Sequence, residues 1–420
     1  MKGTTVSAIV FKNVRIFDGT ALIPGLSELR VAGNRIDGIA SASDASLAQA
    51  GDQVIDGNGA FLMPGLVEAH AHLSWPTSVE RFVPGMGLPP DDLALTTARN
   101  ARILLDHGFT SAYSAGALGE RIEAVLACHI NDGGMPGPRL VPSTIEREPP
   151  SAAHAATLSV GTVAEHGRGP DAVRAFVKAS AQTGAKSIKF LLSGEDALKP
   201  GASQEILYNE EELQAAGAQA RESNVWLCAH AQAAQAVKMA VRNGFRVIYH
   251  CSHADQEALD LLEAKRDEIF FGPAVGILQA TLDAAPPPHF DMSHMKRSAA
   301  ETLDLQCKVV RELRKRGVRV LPGGDYGFPF NPNGRNAWDL ELFVRHFGYT
   351  AAEALHAATK LGGELMGMPD ELGQLKPGFL ADILMVDGDP TADVRILQDR
   401  RRLLAIMKDG AFHKRPAAAS

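Results

Sequence analysis

The sequence predicts an α/β fold, a (β/α)8 barrel of the TIM type inserted between the two halves of a small β-sandwich domain. Three observations predict it. Between Leu62 and Asp325, eight apolar strand-like runs alternate with helix-like stretches. Before residue 61 and again after residue 368, the chain reads as short strands and tight turns. Its 420 residues suffice for one large domain of about 250 residues plus a smaller one. The expected boundaries are 1–60 with 368–415 for the β-sandwich and 61–367 for the barrel.

The first segment is read from alternation and turns. Val10 to Phe17 alternates, and Asp18-Gly19 turns it. Leu29 to Val31 and Ile36 to Ile39 flank Gly33-Asn34, a hairpin signal. Val54 to Asp56 then turns through Gly57 and Gly59 into Phe61.

The barrel strands follow. Phe61 to Ala69 is apolar and ends in His70 and His72. Leu93 to His107 has helical spacing and stops at Gly108, and Phe109 to Ala115 is the second strand. A helix over 119–131 leads to the third strand, Arg139 to Ile145. The stretch 146–168 reads as a long loop, and loops of that length within a domain are usually functional or disordered. Helix Asp171 to Thr183 precedes the strand Ser187 to Ser193. Helix Asn209 to Ser223, capped by Asn209, precedes Val225 to His230. Helix Ala233 to Asn243 precedes Val247 to His250, and helix Asp255 to Lys265 precedes Glu268 to Gly272. Helix Met295 to Arg316 precedes the eighth strand, Val318 to Asp325. An open doubly wound sheet is the alternative arrangement of these units.

Two helices near 336–346 and 350–366 close the barrel segment. Gly373 to Pro390 then returns to strand texture, and Leu403 to His413 adds two strands about Asp409-Gly410. These late strands are expected to pair with the early ones.

Composition narrows the function. Lys plus Arg is 42 and Asp plus Glu is 49, a net charge of −7, which gives no general pull on nucleic acid or anionic membranes. No run of about 18 apolar residues is present, so no membrane span is expected. Four scattered cysteines suit a reducing compartment, and the cytoplasm is the expected location.

The chemistry comes from strand ends, because barrel enzymes carry their catalytic groups there. Alternate residues of a strand face one side, so His70 and His72 project together. Lys189 stands between Ile188 and Phe190, His230 and His250 end the fifth and sixth strands, and Asp325 ends the eighth. Four imidazoles and a carboxylate at one mouth are a metal-binding set. A metal lowers the pKa of bound water towards about 7, and two metals need a bridging anion. An ammonium cannot be that bridge, but a desolvated Lys189 amine that adds carbon dioxide becomes a carbamate, which can.

These residues resemble the amidohydrolase superfamily, over about Val10 to Gly410. The matching pieces are Pro64 through His72, Lys189, His230, His250, Gly324-Asp325 and Gly373 through Asp382. Ile188-Lys189-Phe190, His250 to Asp255 and Ala354 to Thr359 are similar to its imidazolonepropionase-like branch with a binuclear zinc centre. That branch includes prolidase-like carboxypeptidases and ochratoxin-hydrolysing amidohydrolases. The resemblance implies two zinc ions per subunit, one on His70, His72 and Asp325, the other on His230 and His250, bridged by carboxylated Lys189. It implies Asp325 as the catalytic base and a metal-bridging hydroxide as the nucleophile. It implies cleavage of an amide next to a C-terminal carboxylate and a homo-oligomer, with an octamer as one such assembly. The pattern departs from many relatives at Tyr249-His250-Cys251, and at Gln232, where they carry an aromatic residue.

His154, in the long loop, and His253, three residues past His250, are the candidate substrate contacts. Trp75 is a candidate flank for an aromatic substrate and Arg335 a candidate carboxylate partner. Three functions compete. The first is a hydrolase of N-acyl amino acids, dipeptides or an amide-linked toxin such as ochratoxin A. The second is a hydrolase of cyclic amides or imidates, in which one ring opens and no fragment leaves. The third, a non-catalytic relative, requires a missing ligand, and all six are present.

Overall fold

The computed structural model describes residues 8–77, 88–149, 167–197, 199–286 and 291–417. β1 (Ile9–Phe17), β2 (Leu22–Ala32) and β3 (Arg35–Ser41) form an antiparallel meander, turning between β2 and β3 at Gly33-Asn34 as expected. β4 (Gln53–Asp56) and β5 (Phe61–Pro64) both run parallel to β1, one along each half of it.

The chain then enters two parallel arcs. β6 (Leu66–Ala71), β7 (Phe109–Ser114) and β8 (Arg139–Val141) form the first, in that order. β9 (Ser187–Leu191), β10 (Trp226–Ala233), β11 (Val247–His253) and β12 (Phe270–Gly272) form the second. Every residue of β6, β7 and β9 is buried, because helices cover one face and the facing strands the other. The arcs meet just beyond β8, where the Arg147 N–H donates to the Lys189 carbonyl at 2.8 Å and the Leu191 N–H to the Arg147 carbonyl at 3.0 Å. Beyond β12, the Phe271 N–H donates to Arg319 and the Leu321 N–H to Phe271, each at 2.9 Å.

Two expected strands are shorter than their sequence suggests. The third stops at Val141, because Pro142 has no N–H to extend the ladder; one isolated bridge, Ala117 to Ile145, follows. The eighth is reduced to a bridge between Phe271 and Val320, because Pro322, Gly323 and Gly324 interrupt it. Between this segment and β6, no ladder forms among the described residues.

The expected helices are present, with ends shifted by a few residues. Asn209 caps Glu210–Ser223 in a capping box with Glu212. Among the described residues, one α-helix, Val275–Asp283, was not expected. Its start, Val275-Gly276-Ile277-Leu278, lacks the polar residues that mark helical periodicity. The helix foreseen over 350–366 is divided by a π-turn at Ala357–Leu361.

The late strands return to the first sheet. β13 (Ile383–Val386) pairs antiparallel with β5, and β14 (Leu403–Lys408) and β15 (Ala411–Lys414) follow outward. The two ends of the chain therefore share one eight-stranded sheet. That sheet curls. Phe11 of β1 meets Phe412 of β15 edge to face at 6.2 Å, although β5, β13 and β14 lie between them in the hydrogen-bonded order. Val14, Leu29, Leu62, Met385 and Met407 fill the space inside.

Gly410 closes this curl. Its φ is +74°, and a Cβ there would lie 2.0 Å from the Gly33 carbonyl oxygen at the β2–β3 turn. Gly410→Ala is expected to cost about 1–3 kcal/mol and to lower the melting temperature. An unchanged melting temperature would show that this contact is not needed.

Candidate metal centre

β6 ends where its two alternate histidines can converge. His70 and His72 are buried, with ring centroids 5.2 Å apart. Asp325 reaches them from the eighth segment, its Oδ1 3.1 Å from His72 Nε2 and 3.6 Å from His70 Nε2. One ligand atom from each of the three lies within 4.8 Å of the others. His230, on β10, and His250, on β11, form a second pair with ring centroids 4.4 Å apart, and His250 lies 5.8 Å from His70. Lys189, on β9, is buried between the groups. Its Nζ is 3.4 Å from His70 Nε2 and 3.3 Å from the Ala115 carbonyl, and 4.7 Å from the centre of the Tyr249 ring.

The backbone bends to aim these groups. His250 and Cys251 have φ of +75° and +48°, at the point where the β10–β11 register slips. Asp325 has φ of +58°. Non-glycine residues held in this region cost free energy and cluster at functional sites.

The electrostatics favour neutral imidazoles at His70, His230 and His250. Burial, then the Lys189 charge, lowers His70, and the same two causes take His230 to about 4. Burial, then the neighbouring His230, lowers His250. Burial would also lower His72 and raise Asp325, but their mutual contact outweighs it, raising the imidazole and lowering the carboxyl.

The donor set fits a cation. His72 Nδ1 donates to the Gly116 carbonyl at 3.1 Å, and its Nε2 faces Asp325 Oδ1 at 3.1 Å. Metal-binding histidines commonly donate their other ring N–H in this way. His250 Nε2 and Asp325 Oδ1 are buried without a hydrogen-bond partner, a costly state that a shared cation relieves.

Other buried groups hold the seam between β6 and the eighth segment. Glu68 accepts the His70 N–H at 2.9 Å and the Asn336 amide at 2.7 Å, and burial pushes its carboxyl to about 8. Asp339 accepts the Gly323 N–H at 2.8 Å, and burial pushes it to about 7. Asn331 donates to the carbonyls of Gly324 and Asp325 at 2.8 and 3.0 Å, and Asn333 to that of His72 at 3.3 Å. A Cβ on Gly323 would lie 2.9 Å from the His70 nitrogen, so only glycine permits this approach. Glu146, just past β8, places Oε1 3.7 Å from His72 Nδ1. The sequence reading missed Glu68, Glu146, Asp339 and the asparagines. The available signal was three asparagines within Asn331 to Asn336, directly after Asp325.

A cavity of about 140 Å³ opens on His230, His250 and Asp325. Leu207, Ile277, Leu278 and Phe330 are among its apolar lining. His154 lies outside the described residues. His253 does not line this cavity; its Nε2 meets Ser203 Oγ at 3.0 Å. Trp75 is buried, 5.0 Å from His72 and 5.2 Å from Phe328 between ring centroids. Arg335 lies over the Trp338 ring at 4.2 Å, away from the cavity lining.

Comparison with known proteins places these features in context. Residues 61–412 match the amidohydrolase family. The chain is 26% identical over 377 residues to ochratoxinase of Aspergillus niger, covering 84% of this chain and 76% of that protein. Its fold is similar to that of a Xaa-Pro dipeptidase crystallised with methionine in the active site, with a TM-score of 0.85 and 23% identity over 97% of this chain and 100% of that one. It is also similar to the crystal structure of Aspergillus niger ochratoxinase, with a TM-score of 0.82 and 22% identity over 98% of this chain and 97% of that one.

Glu68→Ala removes the acceptor of two buried donors. It is expected to destabilise the chain by about 2 kcal/mol or more and to lower its metal content. Thermal melting with elemental analysis checks both. A variant with wild-type stability and full metal content would show that Glu68 does not hold the seam.

Proposed function

We infer the substrate class from the premise that the chain belongs to the amidohydrolase family and is a metal-dependent hydrolase of amide bonds. We propose that it cleaves an amide next to a C-terminal carboxylate: an N-acyl amino acid, a dipeptide, or ochratoxin A to ochratoxin alpha plus phenylalanine. The observation that carries this reading is the His70–His72–Asp325 group beside a mostly apolar cavity, in a chain with a toxin-hydrolysing relative. Opening of a cyclic amide or imidate is the alternative, and product analysis separates the two, because only the first releases two fragments.

In this reading, the parallel arcs and the eighth segment make a (β/α)8 barrel of residues 61–367, set between β-sandwich halves 1–60 and 368–415. His70, His72 and Asp325 hold one zinc ion and His230 and His250 a second, with Lys189 carboxylated by carbon dioxide as the bridge. The working assembly is a homo-oligomer. When bound, the metals supply an acidified water and polarise the amide carbonyl. The chain's own residues do the rest. The apolar lining excludes solvent from the acyl group. Asp325 takes a proton from the attacking water at its carboxylate and delivers it to the amide nitrogen as the C–N bond breaks. One water is consumed, and one acid and one amine are formed.

Screening N-acyl amino acids, dipeptides and ochratoxin A by mass spectrometry, with metal content measured on the same sample, tests the reading. Chelation should abolish release of the amino acid and zinc should restore it. Full activity in metal-free protein would overturn the metal assignment, and release of no amine from any of these substrates would overturn the substrate class.

Asp325→Asn keeps the size and one oxygen but removes the base. Its kcat is expected to fall by roughly 10²–10⁴-fold, with substrate affinity largely kept. Turnover at the wild-type rate would reassign the proton transfer.

A further inference from the structure

Glu146 is a buried acid that the proposed hydrolysis leaves unused. The next residue, Arg147, bridges Phe190 in parallel register, and both pack outward against Phe176. Side chains alternate along extended backbone, so Glu146 turns inward at the level of Lys189. It is only 6% exposed, and among the described residues no hydrogen bond reaches its carboxylate. Its Oε1 stands 3.7 Å from His72 Nδ1, across the ring from the Nε2 that faces Asp325. The backbone makes room for it. Gly116 has φ of +136°, and a Cβ there would lie 2.3 Å from Glu146 Oε1. Beside this contact the Ala117 N–H donates to the Thr144 carbonyl at 2.9 Å, tying the two segments together. Burial disfavours the charged form of Glu146; Lys189 and His72 favour it, and Asp325 opposes it. A buried carboxylate without a donor is costly, and a dication on the neighbouring ligands offsets that cost.

We propose that Glu146 is a positioning residue for the metal: its carboxylate, set against the Nδ1 side of His72, makes Nε2 a stronger donor and raises the affinity of the His70–His72–Asp325 group for a divalent cation. It acts through His72 and stands outside the three-residue group itself. The Gly116 carbonyl fixes the ring by accepting the Nδ1 proton. Glu146 adds the negative charge that a carbonyl lacks. Outer partners of metal-binding histidines are typically worth 10–100-fold in metal affinity. This rests on the reading above, which places a zinc ion on these three ligands. The first equivalent of zinc goes to them, because the other pair offers two imidazoles and no carboxylate of its own.

Titration of the metal-free, full-length protein with zinc, against a competing chelator, tests the proposal without turnover. Glu146→Gln keeps the size and an acceptor oxygen but removes the charge. Its affinity for the first equivalent of zinc is expected to fall by roughly 10–100-fold. Glu146→Asp keeps the charge and is expected to stay within about five-fold of wild type. The metal-free Glu146→Gln protein should melt no lower than metal-free wild type, because the substitution removes a buried carboxylate that has no donor. Equal zinc affinity in wild type and Glu146→Gln overturns the proposal. A metal-free Glu146→Gln that is unfolded, or melts below wild type, overturns it too, because Glu146 is then a support of the fold. Glu146→Asp as weak as Glu146→Gln overturns the role of the charge. Wild type that takes up no zinc overturns the metal reading itself, so the two failures are distinguishable. Failure of the turnover screen leaves this result standing.

Discussion

The junction between β6 and the segment from Val318 to Asp325 is the constraint on which the site depends. Ladders or isolated bridges join the other neighbouring segments, and a bridge between Phe271 and Val320 joins the eighth to β12, but no ladder joins the eighth to β6, where Pro322, Gly323 and Gly324 fall. Side chains replace the ladder. Glu68 grips the His70 backbone and Asn336, Asp339 grips Gly323, and Asn331 and Asn333 grip the backbones of Asp325 and His72. A regular ladder would pair both strands evenly. The stitched junction instead lets Asp325 take a left-handed backbone and turn its carboxylate onto two imidazoles.

That arrangement gathers groups that repel one another unless something is shared among them. Lys189 has a histidine nitrogen, a carbonyl and an aromatic face near its Nζ. Burial disfavours the charged forms of His70, His230 and His250, and the neutral imidazole is the form that donates a lone pair. Glu68 and Asp339, buried behind the ligands, are shifted up into the neutral range, which limits the negative charge stored beneath Asp325. The charge balance and the backbone strain therefore point to the same place.

The sequence made the strand-end residues legible because their logic is one-dimensional. A run of buried residues followed by His names both the strand and its mouth-facing end, as at β6, β10 and β11. What it hid was lateral. Glu68 lies within the first strand and reads as a polar interruption, and its role appears only once Asn336 comes across from a segment 268 residues away. The helix Val275–Asp283, which brings Ile277 and Leu278 to the cavity, was hidden by its uniform apolar start. Gln232 was visible as an unusual residue, but its unpartnered oxygen is a three-dimensional fact. His253 reads as a pocket residue from its spacing, and its Nε2 meets Ser203 Oγ.

The central claim is that Lys189 joins two metals held by the surrounding histidines and Asp325. A crystal structure of the zinc-loaded enzyme, with anomalous scattering measured at the zinc edge, tests it most directly. The account predicts two anomalous peaks, one at His70, His72 and Asp325 and one at His230 and His250, with carboxylate density continuous from Lys189 Nζ. An unmodified Lys189 pointing away from two occupied sites, or zinc bound elsewhere with this cluster empty, would contradict it.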